Sequence, residues 1–470
     1  MKKSGRKALF SLLFFGFLFG FVFSLRISAA FKLPQPEKIT LSNGLTIFYL
    51  KNPELPLVSF RLLVAGAGNA SEPSGLDGLA NLTADLLLKG AGKLSAEEIA
   101  EAIDFMGASF DLSASEEFVS GSGECLSEHF PRLLQIAAEC LTSPWLKEEE
   151  FKKEQARRID TIKAIKDNPA QAVRYYFLKA YFGEHPLGHI AVGTESSLAR
   201  IKVEDVKTFY SRFYRPERTW LAVVGNMEKE KLLDVLQPGW GQWKAAAGAA
   251  PSISVPRLPR PSGKKIVLVD KPDATQAYFI LGSPAFKMGD EISAPANVMN
   301  TLWGGRFTSW LNTELRIKRG LTYGARSSFQ NWKLGGLFTA SSYTKNEQLG
   351  TMLEITLSLL QKAKQEGFSS EEVESARNYI LGQFPPTLET NASKASAYLR
   401  LAFYGLGFDY YDRYLARVEK IVAKEIKEAA TRLLPENDFV LVVVGKASEV
   451  RPFLKKIGPF QEKKITDPGF

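Results

Sequence analysis

Three polar residues recur one helical turn apart in the stretch Gly75 to Gly92, GLDGLANLTADLLLKGAG. Asp77, Asn81 and Asp85 fall at i, i+4 and i+8, so a helix sets them on one face. Oxygen donors in that spacing suit Mg²⁺ or Ca²⁺; the plainer reading is a polar helix face. Imidazole is scarce, with only His129, His185 and His189 in the chain. The two cysteines, Cys125 and Cys140, have no histidine placed to activate them. A disulfide, or two buried small apolar side chains, are the readings left open. A second stretch, Gly304 to Tyr323, offers different chemistry. Arg316 carries a fork of donors that fits peptide carbonyls. Tyr323 carries a hydroxyl that can donate to a carbonyl oxygen or a developing oxyanion. A surface ion pair for Arg316 and a core ring for Tyr323 are the plain alternatives.

The elements that must position these residues are legible as patterns. Lys38 to Leu50 reads as a hairpin around Asn43-Gly44, a pair that takes the positive φ of a tight turn. Val58 to Val64 is a strand. Leu79, Leu82 and Leu86 share one stripe of a helix predicted over Leu76 to Leu88. Ser95 and Glu98 open the next helix as a capping box. Ser109 to Cys125 alternates like paired strands. Glu148 to Lys166 is a helix ended by Asp167-Asn168-Pro169, and Trp220 to Gly225 is a buried-type strand. Residues 241–263, with an alanine run and then prolines, read as a linker. Strands, helices and strands follow again, with a helix predicted over Val418 to Leu433 and a closing strand over Phe439 to Gly445. Val223-Val224-Gly225 and Val443-Val444-Gly445 are aligned by one long period, which argues for two copies of one α+β unit.

Composition bounds the class. A chain of 470 residues with 45% hydrophobic and 24% charged content is globular and too long for one ordinary core. Residues 1–30 join a basic start to an apolar run, Leu9 to Leu25, and to small residues before Phe31. They read as a secretory signal; an uncleaved anchor through residues 8–25 is the rival. They hold five basic residues and no acidic ones, so the formal charge of +9 falls to +4 without them. No clustered Lys/Arg stripe with interleaved aromatics is present, which speaks against nucleic acid as a partner.

Taken together, Leu41 to Leu45, Gly78 to Gly90, Asp167 to Pro169, His185 to Gly188, Tyr214 to Pro216, Gly304-Gly305 and Glu314 to Tyr323 carry a resemblance. In order and spacing the chain resembles the insulinase/pitrilysin family of zinc metallopeptidases (inverzincins), over roughly residues 38–460. Members of that family place H-x-x-E-H on the helix after Gly-Leu-Ala, with a further glutamate on a later helix. Two histidines and that glutamate leave zinc an open position for water. Against that pattern, Asn81 stands for the first histidine, Ala84 for the general base, Asp85 for the second histidine and Thr161 for the distal glutamate. Glu154, a flanking glutamate, is retained. Arg316 and Tyr323 match the pair that holds substrate in the family.

The resemblance implies an α+β fold of two homologous domains, 31–240 and 264–470, each an antiparallel sheet packed with helices, forming a clam-like pair. It implies no metal or other cofactor in this chain, with zinc expected in a homologous partner subunit. The function it implies is a non-catalytic, substrate-binding subunit of a heteromeric, exported zinc metalloendopeptidase. Peptide would be held by Arg316 and Tyr323 in the periplasm or outside the cell. Membrane contact would come only through an uncleaved N-terminal segment. A structural or assembly protein of the same fold, with no part in proteolysis, is the alternative.

Overall fold

The computed structural model describes residues 32–251 and 255–470, so the expected leader lies outside the described residues. Among them, no helix is long and apolar enough to cross a membrane.

The first half runs β1 (Glu37–Thr40), β2 (Thr46–Lys51), β3 (Leu57–Ala65), α1 (Leu79–Leu86), α2 (Ala96–Phe105), β4 (Ser109–Ala114), β5 (Phe118–Leu126), α3 (Phe130–Thr142), α4 (Glu148–Asp167), α5 (Pro169–Phe182), α6 (Glu195–Arg200), α7 (Val203–Phe213), β6 (Thr219–Gly225) and α8 (Lys229–Leu236). The second half opens with β7 (Lys264–Asp270), β8 (Gln276–Ala285) and α9 (Ser293–Asn300). Two π-helical segments, Thr301–Gly305 and Thr313–Lys318, flank a single helical turn, Trp310–Asn312. There follow β9 (Ala325–Asn331), β10 (Gly336–Lys345), α10 (Leu349–Gln365), α11 (Ser370–Gln383), α12 (Asn391–Phe403), α13 (Tyr410–Glu419), α14 (Ala423–Leu433), β11 (Phe439–Gly445), α15 (Ala447–Ile457) and β12 (Phe460–Lys464).

Each half builds a six-stranded sheet, in the orders β1-β2-β6-β3-β5-β4 and β12-β7-β11-β8-β10-β9. The sheets are mixed rather than antiparallel throughout. β6 returns beside β2 in parallel, and β7 pairs in parallel with both β11 and β12. A strand that comes back after a run of helices can lie in either sense, whereas hairpins must be antiparallel. The second half does not close at Gly445, because α15 carries the chain back to β12, which takes the edge place that β1 holds in the first sheet. The helix expected over Val418 to Leu433 is two helices, broken where Val422 turns extended as the N-cap of α14.

Local sequence explains where the site-bearing helices begin. α1 starts at Leu79, three residues later than its apolar stripe suggests. Gly78 has a φ of 95° there, and a Cβ on it would sit 2.8 Å from the Gly193 backbone. Only glycine meets both demands. The break between α4 and α5 is Asn168-Pro169. Asn168 is extended and its side chain accepts the Ala170 N–H at 3.0 Å, while Pro169 takes the first helical position, where no N–H is needed.

The halves are held together by an exchange of helices. α5 of the first half packs on β8 and β11 of the second sheet, and α12 of the second half packs on β3 and β6 of the first. Phe177 of α5 is seated over Gly282, where a Cβ would lie 2.4 Å from the ring. In the opposite direction Tyr398, Leu401 and Phe403 of α12 bury against Phe48, Leu63, Ala222 and Val224.

Candidate functional site

α1 and α4 lie against each other, and their facing residues are joined by charge. Asp85 accepts from Arg157 at 2.9 Å and from Arg158 at 2.7 Å. Glu154 pairs with Lys89 at 3.0 Å and with Arg157 at 2.6 Å. Burial alone would raise the Glu154 carboxyl; the hydrogen bonds from Arg157 and Lys89 prevail and hold it below its ordinary range. Three cations and two carboxylates thus form one network around the face where the family resemblance places zinc.

The other positions of that face are occupied just as fully. Asn81 exchanges two hydrogen bonds with Ala114 at the end of β4, accepting its N–H at 3.1 Å and donating to its carbonyl at 3.3 Å. It also donates to Asn69 at 3.2 Å. Ala84 is fully buried. Thr161 donates to the Arg157 carbonyl one turn back at 2.9 Å. Zinc does not fit these residues. An amide locked to backbone, a methyl group, a carboxylate held by two guanidiniums and a satisfied hydroxyl provide no imidazole or free carboxylate. The three nearby cations would also repel a divalent ion.

Asp77, Asn81 and Asp85 do not converge on an oxygen-ligand site. Asp77 turns the other way and accepts the Ile190 N–H at 3.2 Å. Its neighbours there are Glu72 and His189, and the three offer ligand atoms within 4.8 Å of one another. Their hydrogen bonds show structural work instead. Glu72 accepts the Ala80 N–H at 2.8 Å and the Gly78 N–H at 3.3 Å, so it caps the free amides at the start of α1. His189 Nδ1 faces the Asn69 carbonyl at 2.9 Å. Glu72 had no signal in the periodicity, because its partner amides depend on a loop folding back.

Burial pushes the Glu72 carboxyl well above its usual range and Asp77 adds to the rise, against the lowering effect of the Ala80 and Gly78 amides and of Arg158. The sign of the linkage follows. A carboxyl whose folded pKa is raised contributes stability below its unfolded pKa and loses it as pH climbs toward the folded value. Unfolding free energy is therefore expected to fall as pH rises from the ordinary carboxylate range, through this group. Glu72→Gln, which keeps an acceptor for Ala80, should flatten that slope. Urea titrations of both proteins across pH check it, and an unchanged slope would refute it.

The cysteines are separate, buried free thiols, and burial pushes each up to about 12. Neither is a nucleophile at neutral pH.

The second stretch does form a concavity. A cavity of about 830 Å³ is lined by Arg316, Gly304, Gly305 and Arg306, by β8 and β10, and by α5 of the first half. Gly304 is required by contact, since a Cβ would meet the Ser327 hydroxyl at 2.4 Å and its backbone N at 3.0 Å. Both π-helical segments border the cavity, and such segments recur at functional positions. Arg316 lies over the Phe307 ring at 4.8 Å. Tyr323 is 80% exposed and does not line the cavity, so the structure leaves the two residues in different surroundings. The contribution of α5 to this wall had no sequence signal, because it depends on the helix exchange.

Two mixed α+β sheets, an exchanged pair of helices and a peptidase-type helix whose metal positions carry Asn81, Ala84 and an ion-paired Asp85 define a peptidase-like scaffold. Comparison with known proteins gives the same class. The family profile described as Insulinase (Peptidase family M16) matches residues 47–195, and that described as Peptidase M16 inactive domain matches residues 200–380. The chain belongs to the insulinase family, peptidase family M16. It is 28% identical to an uncharacterized zinc protease, YmxG, of Bacillus subtilis, over 77% of this chain and 86% of that one. It is 24% identical to the non-peptidase homolog YmxG of Helicobacter pylori, over 85% of this chain and 91% of that one. The fold matches a peptidase M16 inactive domain from Pseudomonas fluorescens, with a TM-score of 0.81 and 21% identity, over 92% of this chain and all of that one. It also matches a Helicobacter pylori protease, with a TM-score of 0.82 and 20% identity, over 88% of this chain and all of that one.

Proposed function

We propose that this chain is a non-catalytic, peptide-binding subunit that works beside a zinc-bearing M16 partner in an exported complex. The observation that carries the reading is the ion-pair network of Lys89, Asp85, Glu154, Arg157 and Arg158 beside the buried methyl of Ala84. Where a general base and a metal shell would stand there are a methyl group, an amide bonded to backbone and carboxylates already held by cations. What is left for chemistry is recognition, and the cavity at Arg316 is the place for it. Tyr323, open to solvent, is available to a peptide spanning this chain and its partner. Export rests on the character of residues 1–30, and the partner on the pairing habit of the family.

The purified chain supplied with Zn²⁺ is expected to leave a quenched peptide substrate uncut. Mixed with an M16 homologue from the same organism that carries an intact zinc motif, it should raise peptide hydrolysis. Arg316→Ala in the mixture should lower kcat/KM about tenfold or more, the loss of one charge-assisted hydrogen bond. Chelator-sensitive cleavage by the chain alone would overturn the reading. A mixture no faster than the homologue alone would favour an assembly role without proteolysis.

A further inference from the structure

The charge of the cavity says more than its shape. Every charged residue that lines it is an arginine: Arg174 from α5, Arg306 and Arg316 from the segment after α9, and Arg326 from β9. No aspartate or glutamate joins them, although the chain has 51 acidic residues against 60 basic ones. The nearest acidic residue in sequence to Arg316, Glu314, is turned to Lys318 and Arg319 instead. Among the described residues none of the four arginines has an ion-pair partner. Arg306 donates to the Ser375 hydroxyl at 3.1 Å and lies over the Tyr379 ring at 5.8 Å, yet its Nε is buried without any acceptor.

Four guanidiniums around one concavity repel one another, and a folded chain gains nothing by keeping them unpaired. Other arginines of this protein do find carboxylates, among them Arg157, Arg158, Arg417 and Arg451. A cleft lined by one sign of charge concentrates ligands of the other sign, and the guanidinium fork matches a carboxylate with two parallel hydrogen bonds. We infer that the Arg174–Arg306–Arg316–Arg326 cavity binds an acidic peptide segment, one carrying Asp or Glu side chains. This rests on the reading of the chain as a peptide-binding subunit and adds the class of peptide it takes. Tyrosines also stand in the wall. Tyr278 and Tyr343 stack on each other at 5.1 Å, so each has one ring face already covered.

The test is equilibrium binding to the purified chain, by fluorescence anisotropy, of three labelled 12-residue peptides: Glu/Asp-rich, neutral and Lys-rich. A single-stranded oligonucleotide of similar length is included. The acidic peptide is expected to bind about tenfold or more tighter than the neutral one, and progressively more weakly as salt rises. Arg174→Ala and Arg326→Ala, both at exposed positions that folding tolerates, should each weaken it several-fold. Arg326→Glu should shift preference toward the Lys-rich peptide. Equal binding of all three peptides, unmoved by the variants, would overturn the charge class and leave peptide binding standing. No binding of any peptide would overturn both. Tighter binding of the oligonucleotide than of the acidic peptide would overturn the inference in favour of a nucleic-acid ligand.

Discussion

Phe177→Ala is expected to lower the unfolding free energy by about 3–5 kcal/mol, the range for removing a large buried ring. The ring belongs to one half of the chain and its pocket to the other, since it sits over Gly282 of β8. The loss should therefore appear as an earlier unfolding of the whole molecule rather than of α5 alone. Gly282→Val strikes the same contact from beneath, placing new atoms 2.4 Å from the ring, and should destabilise by about 1–3 kcal/mol. Urea unfolding followed by tryptophan fluorescence measures both. A loss below about 1 kcal/mol for Phe177→Ala would mean that the exchanged helices add little.

Arg158→Ala should cost about 2–3 kcal/mol. Removing one partner of a buried ion pair costs roughly 3–5 kcal/mol. The value here is discounted because Asp85 keeps Arg157 and its side chain is 25% exposed. Arg158→Met combined with Asp85→Leu, which removes both charges, should recover most of that loss. A double variant as unstable as the sum of its parts would show that the two residues are not coupled through each other. Writing His, Glu and His back at positions 81, 84 and 85 should not restore zinc binding. Arg157, Arg158 and Lys89 would still stand around the site.

How much of this was legible in the sequence depends on the range of the forces. Hairpins, caps and breaks are local, and Asn43-Gly44, Ser95 with Glu98, and Asn168-Pro169 are where the patterns put them. That positions 81, 84, 85 and 161 lack the family's ligands and base is legible from residue type alone. What took their place was not. Arg158 sits in a helix dense with charge, and nothing in its neighbours along the chain says that it is only 7% exposed. α12 went unread because its buried residues, among them Ala395, Ala397, Tyr398, Leu399 and Leu401, form a broad face rather than a stripe. That face answers to a sheet built from residues more than 160 positions earlier. The wall that α5 gives to the arginine cavity is hidden for the same reason. The two candidate substrate-binding residues stand in different surroundings. Arg316 lines a cavity and Tyr323 lies open, because a π-helical segment and the loop after it separate their surroundings.

The exchange of helices also governs the order in which the polypeptide can mature. β6, the last strand of the first sheet, ends at Gly225, but the helix that covers this sheet ends only at Phe403, 178 residues later. At roughly 5–20 residues per second, that is about 10–35 s of ribosome time. For that interval Phe48, Leu63, Ala222 and Val224 face water, while α5 is already made and has no second sheet to rest on. A nascent chain of this kind cannot complete its first half before its second half emerges. During synthesis it presents an apolar sheet face and an unpartnered helix together, which is the pairing that holdase chaperones recognise and that misassembly between neighbouring nascent chains exploits.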